Sequence, residues 1–173
     1  DQPRSRGLGD VYKRQINVTG AETAIEAIDY LLGSREVGEN VAVIGGGLTG
    51  CEIAYDLYLK GKHPTIIEMQ DDLITTKGIC LANTSYLRDF FKTNKVPVFL
   101  ETSLSQIKSG SVELIDKTGN PFALPADSVI MSVGYTPAPI AAKGKHIHVI
   151  GDAAKVGNLR TVIWGAWDVC MKL

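Results

Sequence analysis

The candidate chemistry of this chain begins with three glycines and one carboxylate. Gly45, Gly47 and Gly50 stand in the GxGxxG pattern within GGGLTG, and Glu68 follows Gly45 by twenty-three positions. Glycines at that spacing have separable jobs: Gly45 permits a tight turn, Gly47 lets backbone approach a pyrophosphate, and Gly50 lets the next helix press on the sheet. The chemistry is anion binding by main chain, because the free N–H groups and the positive dipole end of a helix converge on such a turn. Gly45, Gly46, Gly47, Leu48, Thr49 and Gly50 supply that candidate cradle. Glu68, with Met69 beside it, stands where a carboxylate accepts hydrogen bonds from the hydroxyls of an adenosine ribose.

Three elements must place these groups. Residues 41–44, VAVI, form a continuous apolar and β-branched run bounded by glycine, as a strand buried on both faces requires. From Leu48 the apolar positions Leu48, Cys51, Tyr55 and Tyr58 recur at helical spacing. Residues 65–67 make a second apolar run that ends on Glu68. Alone, the glycine pattern also suits any glycine-rich turn of a doubly wound domain or a site for S-adenosylmethionine, and Glu68 alone suits a surface strand end. Strand, helix and terminal acid together point to a dinucleotide. Sites for the 2′-phosphorylated cofactor place an Arg near this acid; here Met69, Gln70, Asp71 and Asp72 follow, so NADH is the expected ligand.

The chain has 173 residues, 45% of them hydrophobic, and a net charge of −1 without a basic block. That length suits one domain with a proper core, and that charge argues against nucleic acid or an anionic membrane as partner. No apolar run approaches the roughly 20 residues of a bilayer span, and no signal-peptide order opens the chain. Cys51, Cys80 and Cys170 have neither CxxC nor metal-ligand spacing, so packed thiols in a reduced, cytoplasmic protein are expected. His146 and His148 alternate along an expected strand with no third ligand, and no metal site is assigned. No nucleophile–base pair or acid–base dyad stands out, as suits hydride transfer, in which cofactors carry the reaction. Trp164 and Trp167, one turn apart on the last expected helix, read as core or interface aromatics.

Residues 1–15 are polar, basic and aperiodic, and 10–15 resemble the conceptual translation of a transposase end sequence used in preparing sequencing libraries. They are expected to be a non-native or disordered leader on a truncated reading frame. A helix is expected over 21–32, stopped by Gly33, then a turn over 37–40 into the central strand. Residues 71–82 lack a period and read as a surface segment; 84–94 reads as a helix and 96–100 as a strand. Runs at 105–108, 112–116 and 122–124, parted by turn residues, read as an antiparallel meander, and 128–133 returns to a buried strand. The fold class is therefore α/β: a three-layer Rossmann-like dinucleotide-binding domain over 16–138, with a β-meander in place of one crossover helix. Residues 139–173 read as linker, a short apolar run at 148–150, Gly151 and Asp152, and a helix over 159–172.

Taken together these residues resemble the pyridine-nucleotide half of flavoproteins with two dinucleotide-binding domains. More closely, the chain from Ile16 on is similar to the C-terminal region of the 2-enoate reductase, dienoyl-CoA reductase and bilirubin reductase group of the old yellow enzyme family. In that family the motif continues GxGxxGxE, and the resemblance implies that Glu52 contacts the nicotinamide side of NADH; a glutamate there also simply suits a helix start. Gly134 and Tyr135, in MSVGYTP, match a turn that closes over the bound cofactor. The ending HVIGDAAKVGNLRTVIWGAWDVCMKL matches a strand, Gly-Asp and helix of the FAD-binding domain, which gives Gly151 and Asp152 a place at FAD. The resemblance implies a parent that oxidises NADH and passes electrons through FAD and an iron–sulfur cluster to FMN, where an activated carbon–carbon double bond is reduced. The barrel with FMN, the cluster cysteines and the first FAD glycine motif would lie upstream, as missing partners of this piece. The alternative is a non-catalytic module that only holds a nucleotide.

Overall fold

The computed structural model describes residues 11–13, 16–76 and 78–172. In chain order its elements are β1 (Val11–Lys13), β2 (Ile25–Glu26), α1 (Ala27–Leu31), β3 (Asn40–Ile44), α2 (Leu48–Leu59), β4 (His63–Ile67), α3 (Leu81–Thr93), β5 (Val98–Phe99), β6 (Ser103–Lys108), β7 (Ser111–Ile115), β8 (Pro121–Pro125), β9 (Ser128–Met131), β10 (Tyr135–Pro137) and α4 (Leu159–Cys170). Contacts divide the chain into two units, Ile16–Val133 on one hand, and 134–172 with Val11–Lys13 on the other.

In the unit Ile16–Val133, five strands form a parallel sheet in the order β2-β9-β3-β4-β5. The alternation of β3 explains its unbroken apolar run. Val41 and Val43 face a core with Ile53, Ala54 and Leu57 of α2 and Leu87 and Phe91 of α3, while Ala42 and Ile44 face a second core with Ile107, Val112 and Leu114 of the meander. With helices on one face and the antiparallel β6-β7-β8 sheet on the other, every second residue of β3 finds apolar cover. This is the three-layer Rossmann-like α/β fold, and the meander fills the connection from β5 to β9.

Four local expectations need correction. Residues 21–32 are not one helix: a single 3-10 turn at Ala21–Thr23 gives way to β2, and α1 is only Ala27–Leu31. Ala24 is extended, and β2 adds Ile25 and Glu26 to the open edge of β9, opposite Ile130 and Met131. A ladder supplied by a distant strand thus overrides a helical pattern. On α2 the buried stripe is Gly50, Cys51, Ile53, Ala54 and Leu57, rotated from the expected Leu48–Tyr58 face, because Tyr55 and Tyr58 carry polar tips to the rim, where Tyr58 donates to Asn94 at 3.2 Å. Residues 148–150 form no ladder; among the described residues the run has no neighbouring strand, and His146 and His148 are exposed and in no strand. Finally, the segment after Glu68 does not merely skirt the surface. Leu73 and Ile74 are buried in the helical-face core, and Arg88 of α3 grips them, donating to the Asp72 carboxylate at 3.2 and 2.9 Å and to the Leu73 carbonyl.

That grip carries a pH signature. The Arg88 guanidinium holds the Asp72 carboxyl below its ordinary range. A carboxyl lowered in the folded state adds stability above the unfolded value, near ~3.9, and loses it as pH falls through the folded one. We therefore expect Arg88→Met to lower the melting temperature at pH 7, and the gap to wild type to narrow below about pH 4 as Asp72 protonates. A gap unchanged between pH 7 and pH 3 in thermal melts would contradict this.

In the other unit β1 and β10 pair antiparallel, Val11 opposite Pro137 and Lys13 opposite Tyr135. Apart from Val11–Lys13, the leader read from the sequence lies outside the described residues. A 3-10 turn at Gly151–Ala153 precedes α4, whose start is closed by a capping box: the Asn158 side chain accepts from the Thr161 N–H at 3.1 Å, and Thr161 Oγ1 accepts from the Asn158 N–H at 2.9 Å. α4 buries none of its residues, and Trp164 and Trp167 are each 57% exposed, so they are not core aromatics. Among the described residues no helix is long and apolar enough to cross a membrane.

Candidate functional site

The site grows from the end of β3. The chain leaves Ile44 and turns at Gly45, whose φ of 108° is closed to most side chains and whose Cβ would fall 2.3 Å from the Ser132 carbonyl oxygen. Gly50, in the first turn of α2, is pressed closer still; a Cβ there would lie 1.9 Å from the Gly45 carbonyl oxygen. Both glycines are therefore demanded by backbone packed on backbone. Gly46 is confined by Leu73 and by the Glu68 side chain. Gly47 differs from all three. Its φ of −66° is open to any residue, and nothing lies within 4 Å of the position its Cβ would take.

Gly47 is also the N-cap of α2, and no side chain caps it. The first N–H groups of a helix have no partner inside it, so the amides from Leu48 to Gly50 are donors left for something outside the helix. No acidic side chain occupies the first turn either. This corrects the reading of Glu52 as a first-turn glutamate: it lies in the second turn, exposed, and its presence is not explained by the helix dipole. Leu48 is half-buried against the core and Thr49 is exposed.

Glu68 faces this turn from the end of β4. One of its carboxylate oxygens accepts from the Gly46 N–H at 2.5 Å and the other from the Gln70 N–H at 2.8 Å. Half-buried, it is oriented by main chain on both sides, and a carboxylate offers about four lone-pair sites, two more than these bonds use. Met69 follows at 68% exposure. Cys51 lies beneath the turn, its thiol donating to the Gly46 carbonyl at 3.4 Å; burial pushes that thiol up to about 12, which makes it packing rather than a nucleophile.

Thus the structure brings together Gly45, Gly46, Gly47, Leu48, Thr49, Gly50 and Glu68. Gly134, Tyr135, Gly151 and Asp152 belong to the other unit. There Gly134 leads into β10, Tyr135 is an exposed residue of that strand, and the Asp152 carboxylate accepts from the Gly157 N–H at 3.0 Å, holding its own loop. Among the described residues no group of acidic, His or Cys side chains could hold a metal ion. The sequence reading gave no place to Leu73, Ile74 or Arg88 and read Asp72 only as a charge after Glu68. An apolar pair inside an otherwise aperiodic stretch was the available signal.

Comparison with known proteins bears on the fold and the family. The chain is 34% identical to cinnamate reductase of Clostridium sporogenes over 92% of its own length and 25% of that protein's. It is 29% identical to NADH oxidase of Thermoanaerobacter brockii, over 90% of this chain and 26% of the relative, and 28% identical to bilirubin reductase of Mediterraneibacter gnavus, over 65% and 18%. The chain thus spans about a quarter of the length of the curated relatives it matches over nine-tenths of its own. In fold it is similar to a 2-naphthoyl-CoA reductase, with a TM-score of 0.77 at 20% identity over 95% of this chain and 26% of that one. It is also similar to a thioredoxin reductase of T. acidophilum, with a TM-score of 0.58 at 20% identity over 74% and 43%. These relatives bear out the resemblance read from the sequence. Residues 11–163 match the family described as pyridine nucleotide-disulphide oxidoreductase, and the chain belongs to that family.

Proposed function

We propose that this chain binds NADH, with the pyrophosphate on the amides at the start of α2 and the adenosine ribose on Glu68, as the nicotinamide-nucleotide part of a flavin oxidoreductase. The observation that carries the reading is an uncapped helix start, open at Gly47, facing a carboxylate already oriented by the backbone. Glycine is demanded by packing at 45 and 50 but not at 47. Open space at 47 serves a ligand, not the fold. Glu68 and Asp71 present negative charge here, Asp72 being paired with Arg88, and this charge disfavours a 2′-phosphate and so favours NADH over NADPH.

When bound, NADH supplies a hydride to a flavin. The part of this chain is to hold and orient: main-chain donors at Leu48, Thr49 and Gly50 for the diphosphate, and Glu68, with Met69 beside it, for the sugar. Glu52, one turn further along α2, takes the nicotinamide side, and Gly134 and Tyr135 take the closing turn that the family resemblance gives them. Gly151 and Asp152 are assigned to FAD on that resemblance alone. The similarity to relatives about four times as long supports a longer parent, and the barrel with FMN, the iron–sulfur cluster and the first FAD motif are assigned to it on the family resemblance alone. In this reading 16–138 is the NADH domain, 139–173 is the closing piece of the FAD domain, and the protein is cytoplasmic, without nucleic-acid or membrane partners.

Fluorescence titration of the 173-residue chain tests this. NADH and ADP-ribose are expected to bind alike, and NADPH at least about tenfold more weakly; no uptake of any of the three ends the reading. The alternative of a module that binds without chemistry is favoured for this chain by itself, since it spans a quarter of those relatives. Mixed with FAD, it is expected not to bleach the flavin on adding NADH, and bleaching would mean that a complete flavin site lies within these residues.

A further inference from the structure

The peptide between Gly46 and Gly47 is held through its carbonyl. The Gly46 carbonyl accepts from the Ile74 N–H at 2.8 Å and from the Cys51 thiol at 3.4 Å. No peptide bond among the described residues is cis, and in a trans peptide the C=O and the following N–H point in opposite directions. Anchoring that carbonyl on Ile74 therefore turns the Gly47 N–H away from the 73–74 segment, at the residue where a Cβ would have open space. Ile74 reaches Gly46 from a left-handed backbone, φ 51°, which a β-branched residue adopts only when its surroundings enforce it. The enforcement is visible: Leu73 and Ile74 are both 5% exposed, and the Arg88 guanidinium bonds the Leu73 carbonyl and both oxygens of Asp72. No bond joins Arg88 to the glycine turn or to Glu68 among the described residues.

We infer that Arg88 is a positioning residue for the dinucleotide: by clamping Asp72 and Leu73 it keeps Ile74 left-handed, and Ile74 in turn sets the Gly46 carbonyl so that the Gly47 N–H serves the diphosphate. The inference rests on the NADH reading and adds a remote part to it. A brace that merely stabilised the fold would weaken every ligand alike. This one acts first on the diphosphate donors; Glu68 shares only the Gly46 N–H with the braced turn, keeps the Gln70 N–H, and is disturbed less.

The test uses Arg88→Met and Asp72→Asn in the 173-residue chain, titrated with NADH and with adenosine, which lacks the diphosphate, and followed by amide shifts. Arg88→Met is expected to bind NADH roughly tenfold more weakly and to lose clearly less affinity for adenosine. Asp72→Asn, which leaves Arg88 on the Leu73 carbonyl, is expected to fall between. In both variants without ligand, the Gly47 and Ile74 amide resonances should move in that order. Equal NADH affinity in wild type and Arg88→Met, or equal loss for NADH and adenosine, overturns the inference while the NADH reading stands. If wild type itself takes up no NADH, the reading fails and the inference falls with it. Should Arg88→Met not fold, Asp72→Asn decides, and unchanged NADH affinity there counts against the clamp.

Discussion

Replacing Gly47 with aspartate is expected to steady the fold and abolish dinucleotide binding in the same molecule. The backbone at 47 is already in the extended N-cap conformation, φ −66° and ψ 178°, and it has room for a side chain. Aspartate is among the best N-cap residues, and its charge suits the positive end of a helix. Stability should hold or rise by roughly half a kcal/mol, seen as a melting temperature unchanged or about 2 °C higher. The same carboxylate takes the amides that the diphosphate needs and sets a negative charge against it, where like charges cost several kcal/mol. NADH affinity should therefore fall at least about a hundredfold. Adenosine, which makes no use of those amides, should bind as before. A variant that melts at the wild-type temperature and still binds NADH with wild-type affinity would mean that the ligand does not lie against the start of α2.

Removing the carboxylate of Glu68 gives the complementary pattern. Glu68→Ala takes away an acceptor preset by the Gly46 and Gln70 amides at 2.5 and 2.8 Å. Hydrogen bonds to a charged group contribute about 1.5–3 kcal/mol each, so the loss of even one ribose bond weakens NADH by roughly tenfold to a hundredfold. Adenosine should weaken by a similar factor, unlike its behaviour with Gly47→Asp. The repulsion that disfavours a 2′-phosphate also diminishes, and the preference for NADH over NADPH should contract, with Asp71 retaining part of it. Parallel titrations of both nucleotides would expose the opposite case, an unchanged ratio, in which Glu68 does not face the ribose.

The parts of the fold that were legible in the sequence are those encoded by short-range patterns. The run 41–44, the glycine turn, the helix after it and the strand ending at Glu68 follow one another within twenty-eight residues, 41–68, and each is specified by its own residues. The meander was legible for the same reason, since its turns are local. What could not be read depends on partners far along the chain. β2 is a strand only because β9, about a hundred residues later, offers it an edge. The run 148–150 has the composition of a strand and, among the described residues, no neighbour to make it one. On α2, the choice between Tyr55–Tyr58 and Ile53–Leu57 as the buried face is settled by the tyrosine hydroxyls, which find partners at the rim. The clasp of Arg88 on Asp72 and Leu73 spans sixteen residues and leaves no periodic trace.

Within the candidate site the division is similar. The glycine spacing gave the turn, but the distinction among the glycines came from the surroundings: 45 and 50 are crowded by backbone and 47 by nothing. That contrast gives the functional reading its physical basis.

A two-dimensional amide spectrum of the chain titrated with NADH shows whether the diphosphate lies on the start of α2. The Gly46, Gly47, Leu48, Thr49 and Gly50 amides are expected to shift in saturable fashion, with Glu68 and Met69 moving at the same midpoint and the meander strands β6 to β8 staying still. NADH added to saturation of any bulk binding signal, with the amides from Gly47 to Gly50 unmoved, would contradict that placement.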